Sequence, residues 1–235
     1  MKAIFKKEFR SYFCSSLGYV FLSVFALVTA LFFFIYNLIS GIGDTSYLFS
    51  NISLLLVLII PVLTMRSFSE EKSRKTDQLL YTCPIKVSEI VLGKTFAAYS
   101  VFAIALAITL IYPLIISIYT DVAWSVMLGN YIGFLLMGAV FISIGIFISS
   151  LTENILLSAI GTFGCLFVIY LSDWISSSVN NPVLGAVVNA VSVTARYADF
   201  SVGIINIPHV LYYVSVIAIF VTLTVFNIEK RRWIK

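Results

Sequence analysis

The sequence predicts an all-α polytopic membrane protein with six transmembrane helices, an N-terminal interfacial amphipathic helix and a short outer re-entrant helix. Three observations lead there. Of 235 residues, 60% are apolar and 11% charged, with a mean hydropathy of +1.04, against roughly 45–50% and about 25% in soluble domains. The apolar residues gather into six runs that reach or approach the roughly 20 helical residues needed to cross a hydrocarbon core about 30 Å thick. These runs are continuously apolar, without the alternation of a lipid-facing strand. The same composition excludes a disordered chain. A net charge of only +4, with its basic residues bordering apolar runs, argues against nucleic-acid binding.

Taken in order, residues 1–16 form the interfacial helix. Met1, Phe5, Phe9, Tyr12 and Phe13 share one face of a helical wheel, Lys7, Arg10 and Ser11 point away, and Lys2 and Lys6 snorkel from the apolar edge. Phe5, Lys7, Phe9, Arg10 and Phe13 are its candidate contacts with lipid or a partner. The first span, 17–39, exceeds the roughly 7–15 residues of a signal-peptide core and no A-x-A-like site follows, so it reads as uncleaved. The remaining spans are 49–64, 95–119, 131–149, 155–171 and 209–226. The short second and fifth predict little tilt or a place inside the bundle. Gly133, Gly138, Gly145, Gly161 and Gly164 predict close helix approach.

Charge fixes the orientation. Of 15 Lys and Arg, four precede the first span, six lie between the second and third, four follow the sixth, and Arg196 alone lies elsewhere. The positive-inside rule therefore places both termini and the 65–94 loop in the cytoplasm, within one transmembrane domain, 1–235. None of the six cores so drawn contains Asp, Glu, Lys or Arg, which removes the usual element of ion coupling. No phosphate-binding loop is present, and Gly93-Lys94-Thr95 reads as a helix-start pair at the membrane surface. Cys14, Cys83 and Cys165 lack paired spacing and His209 is the only histidine. No catalytic, cofactor or metal site is therefore expected in this chain.

Thirty residues between the second and third spans, Met65–Lys94, far exceed the roughly 2–8 that connect two helices. Ser67 with Glu70 resembles a capping box, Thr76–Thr82 predicts a short helix ending before Pro84, and Ser88 predicts the cap of the third span. Glu70, Glu71, Thr76, Asp77, Leu79, Leu80, Tyr81 and Pro84 make up a surface for a partner, with Leu79, Leu80 and Tyr81 as its apolar anchor. The outer segment 172–208 holds Val183–Val193, too short to span and hence re-entrant. Val183, Val187, Val191, Tyr197 and Phe200 are its candidate residues.

Met65-Arg66, Glu70-Glu71, Thr76 with Gln78-Leu79-Leu80, Pro84, and Glu89 before Gly93-Lys94 resemble the permeases of ABC type-2 exporters. The branch most similar contains nitrous-oxide-reductase maturation and gliding-motility permeases. Tyr197, Asp199-Phe200, Gly203, Ile207, Tyr212 and Glu229–Trp233 resemble the same branch. One departure is Lys75, where the family often has Gly before the Thr. The resemblance implies a non-enzymatic permease subunit in a bacterial cell membrane. It would work with a second permease, identical or homologous, and with two nucleotide-binding ATPase subunits that bind ATP and Mg. The 65–94 loop would supply a coupling helix in an ATPase groove, with Glu70 and Glu71 pairing to Lys7, Arg10 or the ATPase, and the outer segment would close the substrate path as a lid. A membrane enzyme using Asp173, Arg196, Asp199 and His209, and an ion-coupled carrier, are the rival readings.

Overall fold

The computed structural model describes residues 1–41, 46–76, 85–119, 123–178 and 192–234, with the backbone alone at 173–178 and 232–234. Among these residues every regular element is helical. Amphipathic α1 (Lys2–Cys14) stops at Ser15, whose extended backbone separates it from α2 (Ser16–Phe33), and a π-helical stretch, Phe34–Ile39, continues the first span. Then follow α3 (Ser46–Thr64), α4 (Arg66–Ser73), α5 (Val87–Ile108), α6 (Ile111–Tyr119), α7 (Trp124–Leu151), α8 (Ile155–Ser178), α9 (Tyr197–Ser201) and α10 (Ile207–Ile234).

Six bodies among the described residues are long and apolar enough to cross a membrane: Ser16–Ile39, Ser46–Ser73, Val87–Tyr119, Trp124–Leu151, Ile155–Ser172 and Ile207–Arg231. Their number matches the six apolar runs, but several bounds move outward. The second span does not end at 64, because α4 carries the helix through Met65, itself in helical backbone, to Ser73. The third begins at Val87 and the fourth at Trp124, rather than at 95 and 131. The 65–94 loop is thus largely helix at both ends.

The two inward-lying bodies are the second and fourth, α3 and α7. Phe49 of α3 meets Phe134 of α7 at 5.2 Å between ring centroids, Phe134 meets Phe102 of α5 at 6.0 Å, and Phe102 meets Phe25 of α2 at 6.3 Å. Burying such rings away from lipid gains dispersion contacts and fixes register, since lipid tails supply no hydrophobic drive of their own. The fifth run does not lie inside: 17% of its span is buried, against 61% for the second. Its shortness in sequence was a matter of where polar residues begin, for α8 continues to Ser178.

Glycine sets several close approaches. A Cβ on Gly93 of α5 would meet Ile4 of α1 at 2.9 Å, and one on Gly133 of α7 would meet Phe200 of α9 at 2.6 Å. Gly138 and Gly145 likewise face Phe102 and Thr64, and Gly161 has Ile148 at 3.2 Å, but Gly164 has nothing within 4 Å among the described residues.

Candidate functional site

Most of the basic residues lie at one end of the bundle, and there α1, α4 and α5 are tied by buried charge. Lys94 has its side chain 2% exposed, on the eighth residue of α5. Its ammonium stands 3.2 Å from Glu8 of α1 and 3.0 Å from Glu71 of α4, donates to the Ser67 carbonyl at 2.6 Å, and lies 4.9 Å from the centre of the Phe68 ring. An ammonium removed from water is tolerable only when its donors and charge are answered like this. Lys7 stands 3.5 Å from both carboxylates at the surface of the same knot. Burial, the largest influence on Lys7, works to lower its pKa, but Glu8 and Glu71 outweigh it and hold the ammonium above the ordinary lysine value.

These contacts correct three readings of the sequence. Gly93-Lys94 is not a helix start at the surface but lies inside α5, which starts at Val87 after Lys86, so Ser88 is not its cap. Ionisable groups do lie buried within the bodies that cross, at their basic end. Ser67 forms no capping box with Glu70, because α4 continues α3 and its N-cap position falls on Met65, with no side-chain cap bond. The cap comes instead from α7. Ser149 Oγ accepts from the Phe68 and Ser69 amides at 3.1 and 3.2 Å and donates to the Met65 carbonyl at 3.1 Å. Lys72 donates to the Ser150 carbonyl, which Asn227 of α10 also reaches at 2.9 Å. The second-to-third connection, the turn at Thr152–Asn154 and the end of the last span are therefore gathered together, as alternating helices require.

Of the partner-surface residues expected from sequence, Glu71 joins the knot, Glu70 pairs with Arg74 at 2.9 Å along α4, and Thr76 closes the end of that helix. Asp77, Leu79, Leu80, Tyr81 and Pro84 lie outside the described residues. On α1 the inward aromatic face is present: Phe5, Phe9 and Phe13 pack against the core while Arg10 is exposed. Lys7 pairs with Glu71 as expected, and Arg10 makes no ion pair among the described residues. Glu8 and Lys94 were missed, since nothing near either in sequence signals a partner 86 residues away. Tyr12 adds a further tie, its hydroxyl donating to the Leu63 carbonyl at 3.2 Å, and burial, then Glu8, pushes its pKa up. Between α1 and α4 the same residues line a cleft of about 380 Å³.

At the opposite end, Asn130 of α7 receives the Tyr197 hydroxyl at 2.7 Å and donates to Ser46 at 3.3 Å, while Ser46 donates to the Ser201 carbonyl at 2.7 Å. Tyr197 and Phe200 are thereby buried between helices. Val183, Val187 and Val191, and with them most of the re-entrant helix, lie outside the described residues. Of the rival acid–base set, Asp199 and His209 approach to 3.2 Å. Arg196 is turned elsewhere, with its guanidinium 3.6 Å from the centre of the Tyr212 ring, and the Asp173 side chain lies outside the described residues. Among the described residues no group of His, Cys, Asp and Glu could hold a metal ion.

A bundle of six long apolar helices, with the ion pairs of its described residues near the ends, is a multi-pass membrane protein. Its family is specific: a family model described as ABC-2 family transporter protein matches residues 2–224, and the chain belongs to that family. It is an ABC transporter permease, a kind of membrane subunit that normally works with ATPase subunits. A comparison with curated proteins finds no match.

Proposed function

We propose that the chain is the transmembrane subunit of an ATP-binding-cassette exporter of the nitrous-oxide-reductase maturation and gliding-motility branch. It forms the substrate path with a second permease, identical or homologous, in a bacterial cell membrane, and its basic end faces the cytoplasm. Two ATPase subunits bind ATP and Mg and supply the energy; the permease performs no covalent chemistry. Residues 77–84 meet the ATPase, with Leu79, Leu80 and Tyr81 as the apolar anchor and Asp77 and Pro84 beside it.

One observation supports this reading above the rest. The second span and α4 form a 28-residue body, Ser46–Ser73, that precedes residues 77–84 in the chain and is ion-paired at Glu71 to α1 and α5. A push at the loop would then reach three helices together, as energy delivered from outside the membrane demands. The switch between inward and outward openings requires such a two-state element. Tyr197 and Phe200, wedged against α7, would close the outer side as part of a lid.

The test is co-purification with a nucleotide-binding ATPase of the same organism. Leu79→Arg combined with Leu80→Arg should abolish the complex and ATP-driven transport while leaving the membrane-inserted fold intact; a complex that survives both changes refutes the docking assignment. Transport that continues without ATP and collapses with an ionophore would establish the ion-coupled carrier instead. Asp199→Asn and His209→Gln should leave transport intact, and their joint loss of function would favour the membrane enzyme.

A further inference from the structure

The outward edge of α1 carries charge that the rest of the bundle does not answer. Its one carboxylate, Glu8, turns inward to Lys94 at 3.2 Å and to Lys7 at 3.5 Å, and Lys7 also reaches Glu71. The other three cations of the helix, Lys2, Lys6 and Arg10, are exposed and make no ion pair or hydrogen bond among the described residues. They recur every four residues, so they stand along a single stripe about 12 Å long at roughly 1.5 Å per residue. Each precedes a phenylalanine by three residues, Lys2 before Phe5, Lys6 before Phe9 and Arg10 before Phe13, a spacing that makes neighbours on a helix surface. The rings thus form a second stripe beside the first. Phe5 and Phe9 stack at 5.8 Å, Phe9 and Phe13 approach to 5.0 Å, and Phe13 meets Tyr19 of α2 edge-on at 5.7 Å. This aromatic row runs from α1 onto the first span, where Tyr19 is 61% exposed on a body apolar enough to cross a membrane.

We infer that the Lys2, Lys6 and Arg10 stripe binds anionic phospholipid headgroups of the leaflet at the basic end of the bundle, with the Phe5, Phe9 and Phe13 row beside it bordering the acyl chains. Depth supports lipid as the occupant. Only Ser15 separates α1 from the first span, and Tyr12 donates to the Leu63 carbonyl, so α1 is held where α2 begins and the apolar part of α3 ends. A long basic side chain beside a ring lays its stem on apolar surface and carries its charge out to the phosphates. Phosphate oxygens accept strongly from ammonium and guanidinium donors. A zwitterionic surface has no net charge to set against a stripe that carries three positive charges and no negative one. The opposite face of α1 is fastened, with Ile4 against Gly93 and Glu8 on Lys94, and the stripe therefore keeps its outward aim. The inference rests on the chain crossing a membrane and needs no ATPase.

The experiment uses the full chain in nanodiscs of phosphatidylcholine, alone or mixed with phosphatidylglycerol, and reads hydrogen exchange at residues 2–14. Phosphatidylglycerol should slow that exchange about tenfold at low salt, since each cation beside an anionic surface contributes on the order of a fivefold preference. High salt should shrink the effect by screening it. Lys2→Gln, Lys6→Gln and Arg10→Gln together should remove the slowing while leaving exchange in phosphatidylcholine unchanged, because none of the three has a partner among the described residues to lose. Lys2→Arg, Lys6→Arg and Arg10→Lys together keep the charge and should respond to phosphatidylglycerol as the parent chain does. Slowing that survives the three glutamines, equal protection in the two kinds of disc, or a charge-keeping variant that no longer responds overturns the assignment. So does loss of ATPase co-purification in the glutamine variant with its lipid response intact, which would make the stripe a protein-docking edge.

Discussion

Lys75 shows how much one side chain can say. Its φ of 56° is in the left-handed region, at the position after the α4 cap, where the Lys75 amide donates to the Lys72 carbonyl at 3.1 Å and the Thr76 amide to the Glu71 carbonyl at 2.9 Å. That pair of bonds is the Schellman arrangement, for which glycine is the usual residue because it has no Cβ to crowd the carbonyl. The family resemblance often puts Gly here, so the chain keeps the turn and accepts the strain. Lys75→Gly should raise the stability of the α4 terminus by about 1 kcal/mol, visible as slower proteolysis at residues 74–76 and a small rise in melting temperature. A fall in both would mean the Lys75 side chain makes a contact that outweighs the strain. Lys94 is the reverse case, a residue whose removal should hurt. Lys94→Met would leave Glu8 and Glu71 facing each other in a buried setting, and about 3–5 kcal/mol of stability should go. The paired change Lys94→Met with Glu71→Gln should recover part of it, because the like-charge contact is relieved; no recovery in a double-mutant cycle would show that the two residues act independently.

At the level of the helices, the sequence made the six crossings plain because apolar length is a local property. The ends of those helices were not plain. A reading that stops at the first charged residue cut the third span at 95, although Val87–Gly93 is apolar enough to continue it and Lys94 is neutralised from α1 and α4, both remote in sequence. The Ser67–Glu70 spacing looked like a fresh start, yet no start is needed where α3 runs on into α4, and the amides opened at Met65 are met by Ser149 from another span. The amphipathic face of α1 was legible from period alone, with Phe5, Phe9 and Phe13 inward. The glycines were legible as a class but not one by one, since a gap needs a neighbour to fill it. Gly133→Ala should therefore cost about 1–3 kcal/mol by pushing Phe200 and α9 off α7, whereas Gly164→Ala, with no described residue within 4 Å of the added Cβ, should be neutral or slightly stabilising. Equal effects from the two would contradict the packing described for α9.

For the molecule as a whole, α7 is the post to which both ends are fastened. Asn130 and Ser149 are 19 residues apart on it, about 28 Å at roughly 1.5 Å per residue, close to the thickness of the hydrocarbon core. Asn130 holds α9 and the start of α3 at one face; Ser149 holds the α3–α4 junction at the other. Polar latches so placed cost little in lipid because their donors are paired. Ser149→Ala strands the buried Phe68 and Ser69 amides and should cost about 1–3 kcal/mol, with faster hydrogen exchange confined to residues 66–73. Asn130→Ala should speed exchange at residues 192–201 and spare the basic end. The two effects should add, since sites this far apart with no shared partner are independent. If either substitution loosens both ends at once, α3 and α7 transmit the strain rigidly, and opening at one face would then be bound directly to release at the other.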